Sequence, residues 1–262
     1  MVKPGIAAYY QCYKDPYATI QSVRHYRKSY PDNTLYLLSD NGYDYSTLAK
    51  EYNCIYEHST VVHGGYPSLT RVEDVELFIT RFKKALDYIE EEWVMLLEDD
   101  VKVFSPYDLN LLKNDMNGIN IGGPQHKSDL FYHFYNNKKS GNRFCGKVLN
   151  DFIREFNPLH LDDLHYSGWG GTVLNVSFFK NALTDHSKIY RSIKFLWENE
   201  SIKLYVTDLI LSFICFSNGG TIGPLIETCE KALHFFQAKV VNFDKSWCGV
   251  PIPPEDAHLV KL

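Results

Sequence analysis

The chain has 262 residues, 45% apolar and 23% charged, an ordinary globular balance that allows one large domain or two small ones. A formal net charge of -5 with a pI near 6.1 and no basic stripe excludes a nucleic-acid binder, which needs a basic face to displace counterions. No apolar run approaches the roughly 18 to 20 residues of a membrane span, and the start lacks a secretory leader pattern, so a cytoplasmic protein without a transmembrane segment is expected.

Ile6-Ala7-Ala8-Tyr9-Tyr10 reads as a first strand. Asp15-Pro16 then supplies an N-cap and a proline for the first helical position, and Ile20, Val23 and Tyr30 fall at helical spacing until Pro31. Leu35-Tyr36-Leu37-Leu38 is a short apolar strand ending in Ser39-Asp40-Asn41-Gly42, and a second helix through Leu48-Ala49 leads to a strand at Cys54-Ile55-Tyr56. Thr70 with Glu73 predicts a capping box for a long helix carrying Phe78, Phe82, Ala85 and Ile89 on one face, which delivers the chain to the strand Trp93-Val94-Met95-Leu96-Leu97. Strands alternating with helices over residues 1–104 imply a parallel sheet covered on both faces.

After residue 104 the rhythm changes. Ser105-Pro106 predicts a short helix, Ile119-Asn120-Ile121-Gly122-Gly123 a strand, and 126–143 a polar, aromatic loop. Helices are expected at 144–156, 186–199 and 206–217, with a glycine-rich turn Ser167-Gly168-Trp169-Gly170-Gly171 and a strand from Thr172 between the first two. The six cysteines are scattered without a C-x-x-C pair, which argues for reduced thiols over a zinc ribbon or a thioredoxin motif. No repeat or linker divides the chain, so a single domain over 1–262 in two halves, 1–104 and 105–262, is expected.

Glu98-Asp99-Asp100 is the most informative motif, because three acids close an apolar strand and precede Val101-Lys102-Val103-Phe104. Carboxylates bunched there repel one another and persist at least cost where a divalent cation neutralises them. The crevice outside the carboxyl ends of strands is also where open α/β sheets bind ligands. Aromatic residues reach 15%, more than a core needs and suited to a cleft that stacks on rings and sugar faces.

In this order the features resemble the GT-A-fold nucleotide-sugar glycosyltransferases: a nucleotide-binding βαβ half, a D-x-D-type acid triplet, a glycine- and aromatic-rich turn with an acid downstream, and a late histidine. The match covers residues 5 to 236. The resemblance implies a GT-A-like α/β fold, with a Rossmann-type, mostly parallel sheet flanked by helices and a smaller mixed sheet on the acceptor side. Residues 1–104 would then be the nucleotide-binding half and 105–262 the acceptor-binding half.

The implied activity is metal-dependent transfer of a sugar from a nucleotide diphosphate donor, UDP-linked, to a hydroxyl of a glycan acceptor. The implied cation is manganese or magnesium, held by Asp100 and by His234, with Asp99 or Glu98 turned toward the ribose or the water shell. Asp40 would hold the base or ribose, and Tyr9 or Tyr10 would stack on the base. Trp169, Gly170 and Gly171 would bind the acceptor. Asp208, with Thr207 in place of the family's glutamate, would be the general base of an inverting reaction, and Asp162 and Asp163 are the fallback candidates. A sugar-nucleotide pyrophosphorylase would need a glycine-rich basic loop where Tyr10-Gln11-Cys12-Tyr13-Lys14 stands, and a haloacid-dehalogenase-type phosphatase an aspartate where Glu98 stands. A catalytically silent nucleotide-sugar or carbohydrate-binding module and a retaining glycosyltransferase remain open alternatives, and the oligomeric state is unknown.

Overall fold

A computed structural model describes residues 3–60, 72–118, 170–198, 206–224, 241–243 and 245–261. Strands β1 (Lys3–Cys12), β2 (Leu35–Asp40), β3 (Ile55–Ser59) and β4 (Glu91–Leu97) alternate with helices α1 (Pro16–Ser29), α2 (Ser46–Glu51) and α3 (Val72–Asp87). They are followed by β5 (Val101–Val103), β6 (Met116–Gly118), β7 (Val173–Asn175), α4 (Val176–Ala182), α5 (His186–Glu198), α6 (Val206–Ser217), β8 (Ile222–Pro224) and β9 (Val241–Phe243).

Seven strands form one sheet in the order β3-β2-β1-β4-β7-β6-β8. The first four are mutually parallel, β7 runs against both β4 and β6, and β6 is parallel to β8. The expected sheet, mostly parallel and flanked by helices, is therefore present. Its mixed portion continues from the edge of β4, while β5 and β9 pair antiparallel as a separate two-stranded ribbon.

The alternation of the strands decides which layer each residue joins. Ala7 and Tyr9, Tyr36 and Leu38, and Val94 and Leu96 face one core with Phe78 and Phe82 of α3, Phe179 of α4, Ile193 of α5 and Ile214 of α6. Ile6, Ala8 and Tyr10, Leu35 and Leu37, and Trp93, Met95 and Leu97 face the other, with Ile20, Val23 and Tyr26 of α1, Leu48 of α2, and Leu259 and Val260. The result is helices on both faces of one sheet, as continuous apolar strands require.

Local signals explain the helix ends. Asp15 accepts a hydrogen bond from the Ala18 amide and Pro16 opens α1, as the sequence predicts. Asn175 caps α4 by accepting from the Phe178 amide. At 106 the expected helix is replaced by a 3-10 turn at Leu109–Leu111, because Asp108 takes the cap position and accepts from the Asn110 amide. β6 at Met116–Gly118 is not expected from the sequence, and the strand expected at 119–123, Thr70 and the helix expected at 144–156 lie outside the described residues.

Phe82 is fully buried and meets Tyr9 edge to face at 5.3 Å and Phe179 at 6.4 Å, so it joins sheet, α3 and α4. Phe82→Ala should destabilise the fold by about 3–5 kcal/mol, read as a lowered urea midpoint at unchanged m-value.

Candidate functional site

From β1 the chain moves outward through β2 to β3 and then returns to place β4 on the opposite side of β1. The strand order therefore reverses between β1 and β4, and the crevice at their carboxyl ends is the position at which such sheets bind ligands. Tyr10 pairs in register with Leu97, so Cys12 and the acids Glu98, Asp99 and Asp100 leave the sheet side by side.

The acids lie on a tight turn. The Val101 amide donates to the Glu98 carbonyl at 3.1 Å, and Ser22 Oγ of α1 lies 3.1 Å from that carbonyl and 3.3 Å from the Val101 carbonyl. The Tyr10 hydroxyl donates to Asp99 Oδ1. Thus β1 supports the Asp99 side chain while α1 supports the backbone of the turn.

Burial raises the Asp99 carboxyl to about 6, and the nearby charges of Asp15 and Asp100 add to the rise against the Tyr10 hydrogen bond. Asp100 is also raised, chiefly by burial, with Lys245 opposing. Asp15 caps α1 with one oxygen and accepts from the Gly249 amide at 2.6 Å with the other. Cys248 Sγ lies 3.9 Å from the Asp99 carbonyl, and burial together with Asp15, Asp99 and Asp100 pushes its thiol up to about 11. Residues 245–250 therefore lie against the acid turn. Sequence reasoning missed this segment, because its approach depends on β9 pairing with β5, a contact nearly 140 residues long in the chain that leaves no local mark.

Other expected site residues are placed as follows. Tyr9 and Tyr10 are fully buried, on opposite faces of the sheet, so neither presents a ring to a base; the expectation of stacking on either is corrected. Tyr10 instead acts from beneath, through Asp99. The exposed ring at this edge is Tyr13, 44% accessible, with the Lys14 ammonium 5.0 Å from its centroid.

Asp40 is 4% exposed, with one oxygen paired to Arg81 of α3 at 2.8 Å and the other accepting from Nε2 of the Gln11 side chain at 2.7 Å. Arg81 also donates to Ser59 at the end of β3. The expected contact of Asp40 with base or ribose is corrected: its charge is neutralised within the fold, where breaking a buried pair costs about 3–5 kcal/mol.

Gly171 donates its amide to the Leu96 carbonyl at 2.8 Å, and the Leu96 amide donates to Thr172 at 2.9 Å. Gly171 thus lies alongside the end of β4, and its φ of +75° explains the residue type. Asp208 is the third residue of α6, which leads through Gly219 and Gly220 into β8. β8 runs in the same direction as β4. The side chain of Asp208 lies outside the described residues, as do His234, Trp169, Asp162 and Asp163.

Among the described residues no three histidine, cysteine, aspartate or glutamate side chains gather as a ready metal cage. The donor set still fits a hard divalent cation of the magnesium or manganese type, which is commonly held by one or two carboxylates with substrate phosphates and waters completing the shell. Asp99 and Asp100 supply that number; burial raises both carboxyl groups, and at Asp99 the charges of Asp15 and Asp100 add to the rise. Also among the described residues, no helix is long and apolar enough to cross a membrane.

No family model and no curated protein matches the chain. Among solved structures it is similar to TarS of S. aureus, with 10% identity and a TM-score of 0.44 over 89% of this chain and 36% of that one. It is also similar to the galactosyltransferase LgtC in complex with donor and acceptor sugar analogues (16% identity, TM-score 0.45, 83% and 72% of the two chains). A third likeness is to the bifunctional glycosyltransferase WbbM in its apo form (14% identity, TM-score 0.42, 83% and 38%). The chain thus spans about a third of the length of TarS.

Asp99 keeps its proton to about pH 6 in the folded chain but only to about pH 4 when unfolded, so the folded state binds more protons between these values. Its contribution to stability is present at low pH and lost as pH rises through that window. In chelator-treated protein, Asp99→Asn should flatten the urea-stability profile from about pH 4 to about pH 7 and raise stability at its upper end. An unchanged profile would move the pH dependence to other groups.

Proposed function

We propose that the chain is a metal-dependent glycosyltransferase that moves a sugar from a nucleoside diphosphate donor, UDP-linked, to a hydroxyl of a glycan acceptor. The observation that carries this reading is the pair Asp99 and Asp100 at the strand-order reversal, with both carboxyl groups raised by burial and that of Asp99 further by the charges of Asp15 and Asp100. Asp100, with Asp99 beside it, would hold manganese or magnesium, and His234 is assigned as a further ligand.

The bound cation supplies Lewis-acid relief of the charge that gathers on the departing diphosphate. The protein's own groups do the rest. Tyr10 fixes the Asp99 carboxylate through its hydroxyl, which orients it toward the ribose or the cation's water shell. Tyr13, exposed at the end of β1, takes the base-stacking role that buried Tyr9 and Tyr10 cannot fill.

Gly170 and Gly171 bring the backbone of the acceptor turn against the end of β4, which allows a sugar to approach the acid turn closely, with Trp169 as its apolar face. Asp208, at the start of α6, is assigned as the general base. It takes the proton from the acceptor hydroxyl on the side opposite the leaving diphosphate, which inverts the anomeric carbon.

Two substitutions test separate parts of this reading. Asp100→Ala should abolish manganese-dependent binding of UDP in calorimetry, and equal affinity with and without the metal in wild type and variant would make the triplet structural. Asp208→Asn should keep UDP–manganese affinity while transfer, read as nucleoside diphosphate released from a panel of nucleotide sugars, falls at least about a hundredfold. Undiminished turnover would remove Asp208 as the base.

A further inference from the structure

Helix α1 holds two things at once. Its Ser22 reaches the carbonyls of the acid turn, and its capping residue Asp15 takes the Gly249 amide. From the same helix, Arg24 donates through both terminal nitrogens to the Asp256 carboxylate at 2.7 and 2.6 Å, while its Nε donates to the Tyr52 hydroxyl at 2.9 Å.

The carboxyl-terminal segment is therefore fastened along its length, by Trp247 packing on α1, by Leu259 and Val260 in the core and by polar ties. Upstream, β9 is zipped to β5; in the middle, Gly249 is tied to Asp15; downstream, Asp256 is clamped by Arg24. Residues 245–250 lie between the outer two, against the acid turn. Packing holds the first half of this span, where buried Trp247 meets His25 of α1 edge to face at 5.3 Å and lies 4.4 Å from the Lys102 ammonium, and thins out at Gly249. Gly249 has a φ of +72°, and among the described residues nothing comes within 4 Å of where a Cβ would stand. Past Trp247, the hydrogen bond from Gly249 to Asp15 and the downstream Arg24–Asp256 pair hold the backbone where side-chain packing thins out.

We propose that the Arg24–Asp256 pair is a latch that positions residues 245–250 as one wall of the donor site, which makes Arg24 and Asp256 positioning residues for metal-assisted nucleotide binding. The inference rests on the donor-site reading above. The latch suits this role, since a two-pronged guanidinium–carboxylate contact fixes direction as well as distance. Its acid side chain is only 7% exposed, and the Arg24 hydrogen bonds hold that carboxyl below its usual range. Because the latch and Ser22 sit on one rigid helix, a displaced latch shifts the wall relative to the turn without touching either acid.

Cys248 is a native reporter, being partly buried with its sulfur beside the Asp99 carbonyl. Alkylation of that thiol, mapped by peptide mass spectrometry, reads whether the wall is docked, independently of activity. In Arg24→Met and in Asp256→Asn, each checked by urea denaturation to be folded, Cys248 should label at least about tenfold faster than in wild type, and UDP–manganese affinity should fall about tenfold, the scale of outer supports to metal sites. The exchanged pair Arg24→Asp with Asp256→Arg should recover slow labelling and part of the affinity.

Labelling within about twofold of wild type in both folded single variants, against the slow reaction of a shielded thiol, would overturn the latch. So would an affinity that stays at the wild-type value while labelling rises. Wild type that binds no UDP with manganese would instead overturn the donor-site reading on which the positioning role depends, and Cys248 labelling would still decide whether the pair docks the segment.

Discussion

The arrangement at the end of β4 depends on a half-buried carboxylate, that of Asp99, fixed by a phenol that has no exposure of its own. Tyr10 can take that position because it points from β1 into the α1 side of the sheet, one register step from where the acids emerge. The hydrogen bond alone does not require a charge, since an asparagine oxygen would accept from the same hydroxyl without ion desolvation. Charge at this site therefore costs stability, and costs more with Asp15 and Asp100 nearby. A fold that keeps such a cluster where strand order reverses favours a ligand that repays the cost when it binds.

Two acids on the same edge of the sheet show how differently that edge is used. Asp40, on the α3 side, is closed by Arg81 and Gln11 into a buried ion pair. Asp99 and Asp100, beside α1, carry raised carboxyl groups, and the described opposing charge, Lys245, comes from the far end of the chain. The β2 side is thus electrically settled from within, and the β1–β4 crevice is where an added cation gains most.

Much of this was legible in the sequence, for identifiable reasons. β1, β2 and β4 announce themselves as continuous apolar runs because both faces are covered, and α1 because Asp15 and Pro16 carry its start in two adjacent residues. The acid triplet could be placed at a strand end because the strand itself was unmistakable. Three-residue strands such as β8 and β9 have no room for a period, and α4 rests on Phe179 packing and one Asn175 cap. Asp40 was read as a ligand contact because its partner, Arg81, stands 41 residues away on another element. Which of several aromatic residues near a strand end is exposed is likewise a tertiary fact: Tyr9, Tyr10 and Tyr13 are alike in sequence and differ in that the first two lie within the sheet and the third beyond it.

The same distinction governs the carboxyl-terminal segment. Its contacts near the acid turn pair one backbone group with one side chain each, the Gly249 amide with Asp15 and the Asp99 carbonyl with the Cys248 thiol, across more than a hundred residues that no local pattern spans. What the sequence could carry is the means of holding it, and there the residues are specific. A bidentate pairing with a carboxylate needs the planar fork of an arginine, and a lysine at position 24 would offer a single point of contact without the second direction. The segment's own side chains, Trp247 on His25 and Cys248 at the Asp99 carbonyl, set it down beside the acids, and the fork at Arg24 fixes the direction in which the chain leaves toward Asp256.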